Sequence, residues 1–127
     1  MPEVYDYSVL RVVPRVEREE FVNVGVIVAC PTSDFLGCRI TTGLERVLAL
    51  APGVDLEVVA RHLEGVRRVC EGDPAAGPVA RLPARERFHW LTHPRSAMLQ
   101  TSAVHSGLTG DPAEALVRLY AAMVGYR

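Results

Sequence analysis

Arg95, Ser96, Gln100, Ser102 and His105 are the residues of this chain whose types and spacing best suit chemistry. Pro94 fixes the backbone just ahead of Arg95. A guanidinium held on a rigid loop presents a planar fork that matches a carboxylate or a phosphate. If 98–104 is a strand, Gln100, Ser102 and Val104 share one face and His105 lies just past its end. These side chains can then line one polar groove, with Arg95 as anion clamp and His105 as acid/base. The structural alternative is an Arg95 that bonds loop carbonyls or pairs with a carboxylate such as Asp6. Asn23 is the remaining candidate, a polar amide near the start of an apolar run. Buried, it must be hydrogen-bonded. It either ties down the loop over 15–20 or stands at the edge of a pocket there. Gly25, two residues on, reads as a bulge or a close approach of neighbouring backbone.

Other groups carry weaker signals. Glu19 and Glu20 are adjacent, so on a strand they point opposite ways, whereas paired-carboxylate catalysis needs two carboxyls aimed at one point. His89 and His93 are four apart, the spacing of a two-His metal site on a helix. Pro94 disfavours helical backbone at His93, so the two rings should diverge, and no third ligand is evident. Cys30, Cys38 and Cys70 form no C-x-x-C pair and sit in apolar stretches, which reads as buried free thiols. Between Arg81 and Arg95 there are four arginines against one glutamate, interleaved with Phe88 and Trp90. Such a patch could hold a phosphate backbone. All 14 basic residues are arginine, which removes lysine-based chemistry. There is no G-x-S-x-G, Gly-rich phosphate loop or dinucleotide fingerprint. The sequence therefore assigns no catalytic residue, no cofactor and no metal ligand.

These residues must be positioned by an α+β domain. Tyr5 to Val13 is rich in β-branched and aromatic residues and apolar on both faces, which reads as a central strand ending at Pro14. Phe21 to Cys30 follows as a second strand, with Val22, Val24, Val26 and Val28 expected on one face and Asn23 and Gly25 on the other. Pro31-Thr32-Ser33-Asp34 is turn chemistry before a third strand over Phe35 to Thr41. Three strands with short links predict an antiparallel meander. Thr42 with Glu45 resembles a capping box for a short helix up to Leu50. Asp55 caps the next helix, where Leu56, Val59, Leu63, Val66 and Cys70 recur at helical spacing and Glu57–Arg61 and Glu64–Arg68 pairs lie outside. Pro83 and Glu86 favour a short helix that buries Phe88 and Leu91, and Met98 to Val104 reads as a fourth strand. Asp111-Pro112-Ala113-Glu114 starts a last helix with Leu116, Leu119, Tyr120 and Met123 inward. The prediction is a single α+β domain over 1–127, an antiparallel sheet of about four strands covered by three or four helices.

Composition fits that fold. A chain of 127 residues, 49% hydrophobic and 23% charged, can bury a core without disulfides or metal. A net charge of −1 gives no global field for nucleic acid or anionic membrane. No apolar run reaches the length of a membrane span and no signal-peptide pattern opens the chain, so a cytoplasmic address is expected.

Four stretches carry a family resemblance: Tyr7-Ser8-Val9-Leu10-Arg11-Val12-Val13-Pro14, Arg18-Glu19-Glu20-Phe21-Val22-Asn23-Val24-Gly25-Val26, Arg87-Phe88-His89-Trp90-Leu91-Thr92-His93-Pro94-Arg95-Ser96 and Ser102-Ala103-Val104-His105-Ser106-Gly107-Leu108-Thr109. Together they resemble an uncharacterised family of short bacterial proteins, domain of unknown function 3037. The resemblance implies no known activity. Its members are often encoded beside a kinase-like protein similar to the HipA toxin family, which implies a protein partner. The expectation is a non-catalytic protein-interaction or regulatory module, with a HipA-like kinase as candidate partner. The alternative is an enzyme or binder of a phosphorylated small molecule or nucleic acid, built on Arg95 and His105.

Overall fold

In the computed structural model, which describes residues 2–93 and 98–125, β1 (Glu3–Val12) runs through the middle of an antiparallel sheet. On one side it pairs with β2 (Val22–Cys30), which pairs in turn with β3 (Phe35–Ile40). On its other side lie two short strands in succession, β5 (His105–Thr109) beside Glu3 to Tyr7 and β4 (Leu99–Thr101) beside Leu10 to Val12. The meander and the α+β class are as the sequence predicts. The fourth strand is shorter than Met98 to Val104, and His105 opens a fifth.

The break between β4 and β5 is held by serines. The Ser102 amide donates to the Val9 carbonyl at 2.9 Å, and its hydroxyl accepts from the Val9 amide at 2.9 Å. The fully buried Ser8 hydroxyl donates to the Ser102 carbonyl at 2.7 Å. A side chain thus supplies a rung that the ladder lacks, so the buried backbone of β1 stays paired.

Helices cover both faces. Leu10, Val12, Val24, Ile27 and Ala29 pack with α1 (Glu45–Leu50), α2 (Leu56–Glu71) and α3 (Ala84–Leu91) through Val47, Val59, Leu63, Phe88 and Leu91. Tyr5, Val26, Val28 and Cys30 face α4 (Pro112–Met123) through Ala115 and Leu119. Burial on both sides explains why β1 and β2 read as near-continuous apolar runs. Asp55 accepts from the Glu57 and Val58 amides and Asp111 from the Ala113 and Glu114 amides, so both predicted caps form.

Several local expectations are corrected. Leu10 faces Gly25 but Arg11 faces Asn23, which leaves Val24 as an extra residue, a β-bulge. The bulge turns Val24 into the first core cluster while Val26 and Val28 face the second, so the four valines do not share a face. As the sequence predicts, Gly25 sits at this bulge, where a Cβ would stand 3.0 Å from the Arg39 carbonyl oxygen. Leu44, not Thr42, precedes α1, with no side-chain cap. On α2, Arg67 pairs with Glu64 and with Glu71, while Arg68 turns to Asp73 at 2.9 Å instead of Glu64. Met123 is exposed, and Val124 fills the core in its place.

Candidate functional site

Arg95 and Ser96 lie outside the described residues. The other candidates occupy separate places. Asn23 stands opposite Arg11 on β2, and its Nδ2 donates to the Met123 carbonyl at 3.1 Å, which ties β2 to the end of α4. Gln100 stands opposite Arg11 on the other flank of β1. Ser102 uses its hydroxyl on the Val9 amide, as described. His105 is exposed opposite Tyr7, the two rings 5.4 Å apart. Tyr7 and Arg11 are four residues apart, about 13 Å along an extended strand. Asn23 and His105 also flank β1 on opposite sides, so they do not converge on one ligand.

Among the described residues, two buried polar atoms around Asn23 find no hydrogen-bond partner, Asn23 Oδ1 and Arg11 Nε. The Arg11 guanidinium lies over the Phe21 ring at 4.1 Å, and this cation–π contact offsets part of its desolvation.

The basic patch is partly committed to structure. Arg87 Nη1 donates to the Val69 and Cys70 carbonyls at 3.0 and 2.7 Å, and its Nε to the Leu82 carbonyl at 2.8 Å. It therefore caps the C-terminal end of α2, where carbonyls lack helical partners. Arg81 donates to the Pro74 carbonyl at 3.3 Å. The His89 and His93 rings do not diverge; their centroids are 4.8 Å apart, because the chain keeps its turn past Leu91 through the His93 amide and the Trp90 carbonyl. Among the described residues no group of three or more His, Cys, Asp or Glu is arranged to hold a metal ion. None of the described helices is long and apolar enough to cross a membrane.

One further feature is one that strand periodicity did not reveal. A groove of about 1000 Å³ runs between α3 and the sheet, lined by Asp6, Arg85, Phe88, His89, His93 and Val104 among others. Beyond it, on the face that Asp6 shares, Val4 and Leu108 stand opposite each other across β1 and β5. They are 55% and 68% exposed, and Val104 at the groove's edge is 47% exposed. Exposed apolar residues grouped in this way mark interaction surfaces more often than scattered ones do.

The two sheet edges differ. β3 carries Arg39 and is flanked by α2 and α4, with Arg39 lying 5.4 Å from the Tyr120 ring centroid. The sequence of β5, His105-Ser106-Gly107-Leu108-Thr109, contains no Lys, Arg, Asp, Glu or Pro of the kind that blunts an edge. Gly107 admits the Tyr5 ring, since a Cβ there would stand 2.7 Å from the Tyr5 hydroxyl. The signal available in the sequence was compositional, a short run after Val104 without Lys, Arg, Asp, Glu or Pro.

Residues 7–124 match the family model described as protein of unknown function, DUF3037. No curated protein and no solved structure matches the chain.

Proposed function

We propose that this chain, which belongs to the DUF3037 family, is a non-catalytic protein-interaction module that receives an extended segment of a partner along β5. The observation that carries this reading is the exposed Val4–Leu108 pair beside a strand edge without charged gatekeepers. Strand addition at such an edge draws affinity from main-chain hydrogen bonds and specificity from alternate side chains. Here those side chains would meet Leu108 and Val4 on one face and could continue into the groove beside α3. A HipA-like kinase, the partner implied by the family resemblance, is the first to test.

The test is titration of such a kinase, purified, against the wild-type chain, Leu108→Glu and Val117→Glu. Val117 is 50% exposed on α4 and serves as the remote control. Binding should weaken at least about tenfold in Leu108→Glu, because a carboxylate would be desolvated in the contact. Val117→Glu should bind as wild type. Equal binding by the two variants would remove β5 from the interface, and no binding by the wild-type chain would remove this partner.

A further inference from the structure

A second groove, of about 500 Å³, opens between α2, α3 and β4. Buried Leu10, Val69 and Leu91 and partly buried Val66, Trp90 and Leu99 give it an apolar lining. Its polar lining is Arg61, His62, Arg68, His93, Gln100 and Thr101, and among the described residues no Asp or Glu lines it. No residue of β5 takes part, so the groove is separate from the strand edge proposed above as a docking site.

Helical periodicity builds the basic wall. Arg61, Gly65 and Arg68 follow one another at steps of four and three residues, so they share one face of α2 with the glycine between the arginines. Two turns, about 10 Å of axis, separate Arg61 from Arg68. Arg68 donates through Nε to Asp73 at 2.9 Å, which orients its guanidinium and leaves the terminal N–H groups. Arg61 makes no ion pair among the described residues, although Glu57 lies one turn before it. Gly65 stands in the interior of α2, where glycine destabilises a helix relative to alanine. A Cβ built on it would meet nothing within 4 Å, so no neighbour requires a glycine there. What the glycine provides is an unfilled space between two arginines on the wall of an apolar groove.

We propose that this groove binds a small amphipathic carboxylate. Its apolar body lies against Val66, Trp90 and Leu99, and its carboxylate sits over Gly65 between Arg61 and Arg68. The size of the groove and its mix of apolar walls with a few polar groups are those of small-molecule sites. A guanidinium fork matches a carboxylate through two parallel hydrogen bonds. The charge balance selects a monoanion. Two guanidinium charges less the Asp73 carboxylate leave one uncompensated positive charge, with the histidines neutral. A cationic head group would meet like charge with no lining carboxylate to receive it, which is discrimination by repulsion.

The test titrates the native full chain with octanoate and follows the fluorescence of Trp90, the single tryptophan. Saturable binding is expected, and octylamine, with the same chain and opposite charge, should bind at least about tenfold more weakly. Arg61→Gln should weaken octanoate binding at least about tenfold. Trp90 lines both grooves, so Arg85→Gln, which alters only the groove beside α3, is the control and should bind as wild type. Gly65→Ala should melt at or above the wild-type temperature. Gly65→Leu, whose side chain fills the space, should lose octanoate binding. Equal binding of octanoate and octylamine would overturn the proposal, as would octyl phosphate binding more tightly than octanoate. So would wild-type affinity in Gly65→Leu or Arg61→Gln, or no saturable binding by the wild-type chain at millimolar octanoate. A Gly65→Ala variant melting well below wild type would also overturn it, by giving the glycine a structural role.

Discussion

The Ser102 hydroxyl accepts the buried Val9 amide at 2.9 Å, standing in for a backbone carbonyl where the strand beside β1 is interrupted. That one contact lets β4 and β5 share a single edge of β1 while the chain between them bends outward. Residue 102 therefore belongs to the frame of the sheet, whatever else lines this edge.

Ser102→Ala should destabilise the fold by about 1–3 kcal/mol, the cost of leaving a buried amide without an acceptor. Ser102→Thr keeps the hydroxyl and should retain most of the stability. Urea denaturation followed by circular dichroism would compare the three. An alanine variant as stable as wild type would show that solvent satisfies the Val9 amide equally well.

Arg87 joins α3 to the end of α2 by charge-assisted hydrogen bonds to the Val69 and Cys70 carbonyls. Arg87→Ala should cost roughly 2–3 kcal/mol, because it removes donors from carbonyls at a helix end. Arg87→Lys keeps the charge but loses the fork, so it should recover only part of this. Thermal melts of the two variants would settle the order, and a lysine variant equal to wild type would reduce the contact to simple charge.

Asp73 accepts from Arg68 and from the Ala75 amide, and these hydrogen bonds hold its carboxyl below the ordinary value. A folded-state value below the unfolded one means stability present above the unfolded pKa and lost as pH falls through the folded value. Asp73→Asn should therefore melt below wild type at neutral pH. The gap should close as the pH falls below the unfolded-state carboxyl value of about 3.9 and on through the lower folded-state one. A gap independent of pH would show that the side chain acts only as an uncharged cap.

Much of the frame was legible locally. The β-branched runs of β1 and β2, the Asp55 and Asp111 caps and the helical spacing on α2 each predict their element from neighbours in sequence. The exceptions depend on partners that sequence spacing does not reveal. Val24 is extruded because Leu10 and Arg11 choose Gly25 and Asn23, and Arg68 prefers Asp73 because the chain turns back at Gly72. His89 and His93 meet because the chain keeps turning after α3 ends.

By itself the sequence determined an α+β domain with a central apolar strand, two capped long helices and an arginine-only basic set. Those features follow from backbone preference and periodicity, which act over a few residues. Only the tertiary structure decided that Ser102 completes a ladder and that Asn23 and His105 stand apart. It also decided which edge strand has no second strand partner among the described residues, because exposure at Leu108 depends on where the helices pack and on which strands find partners.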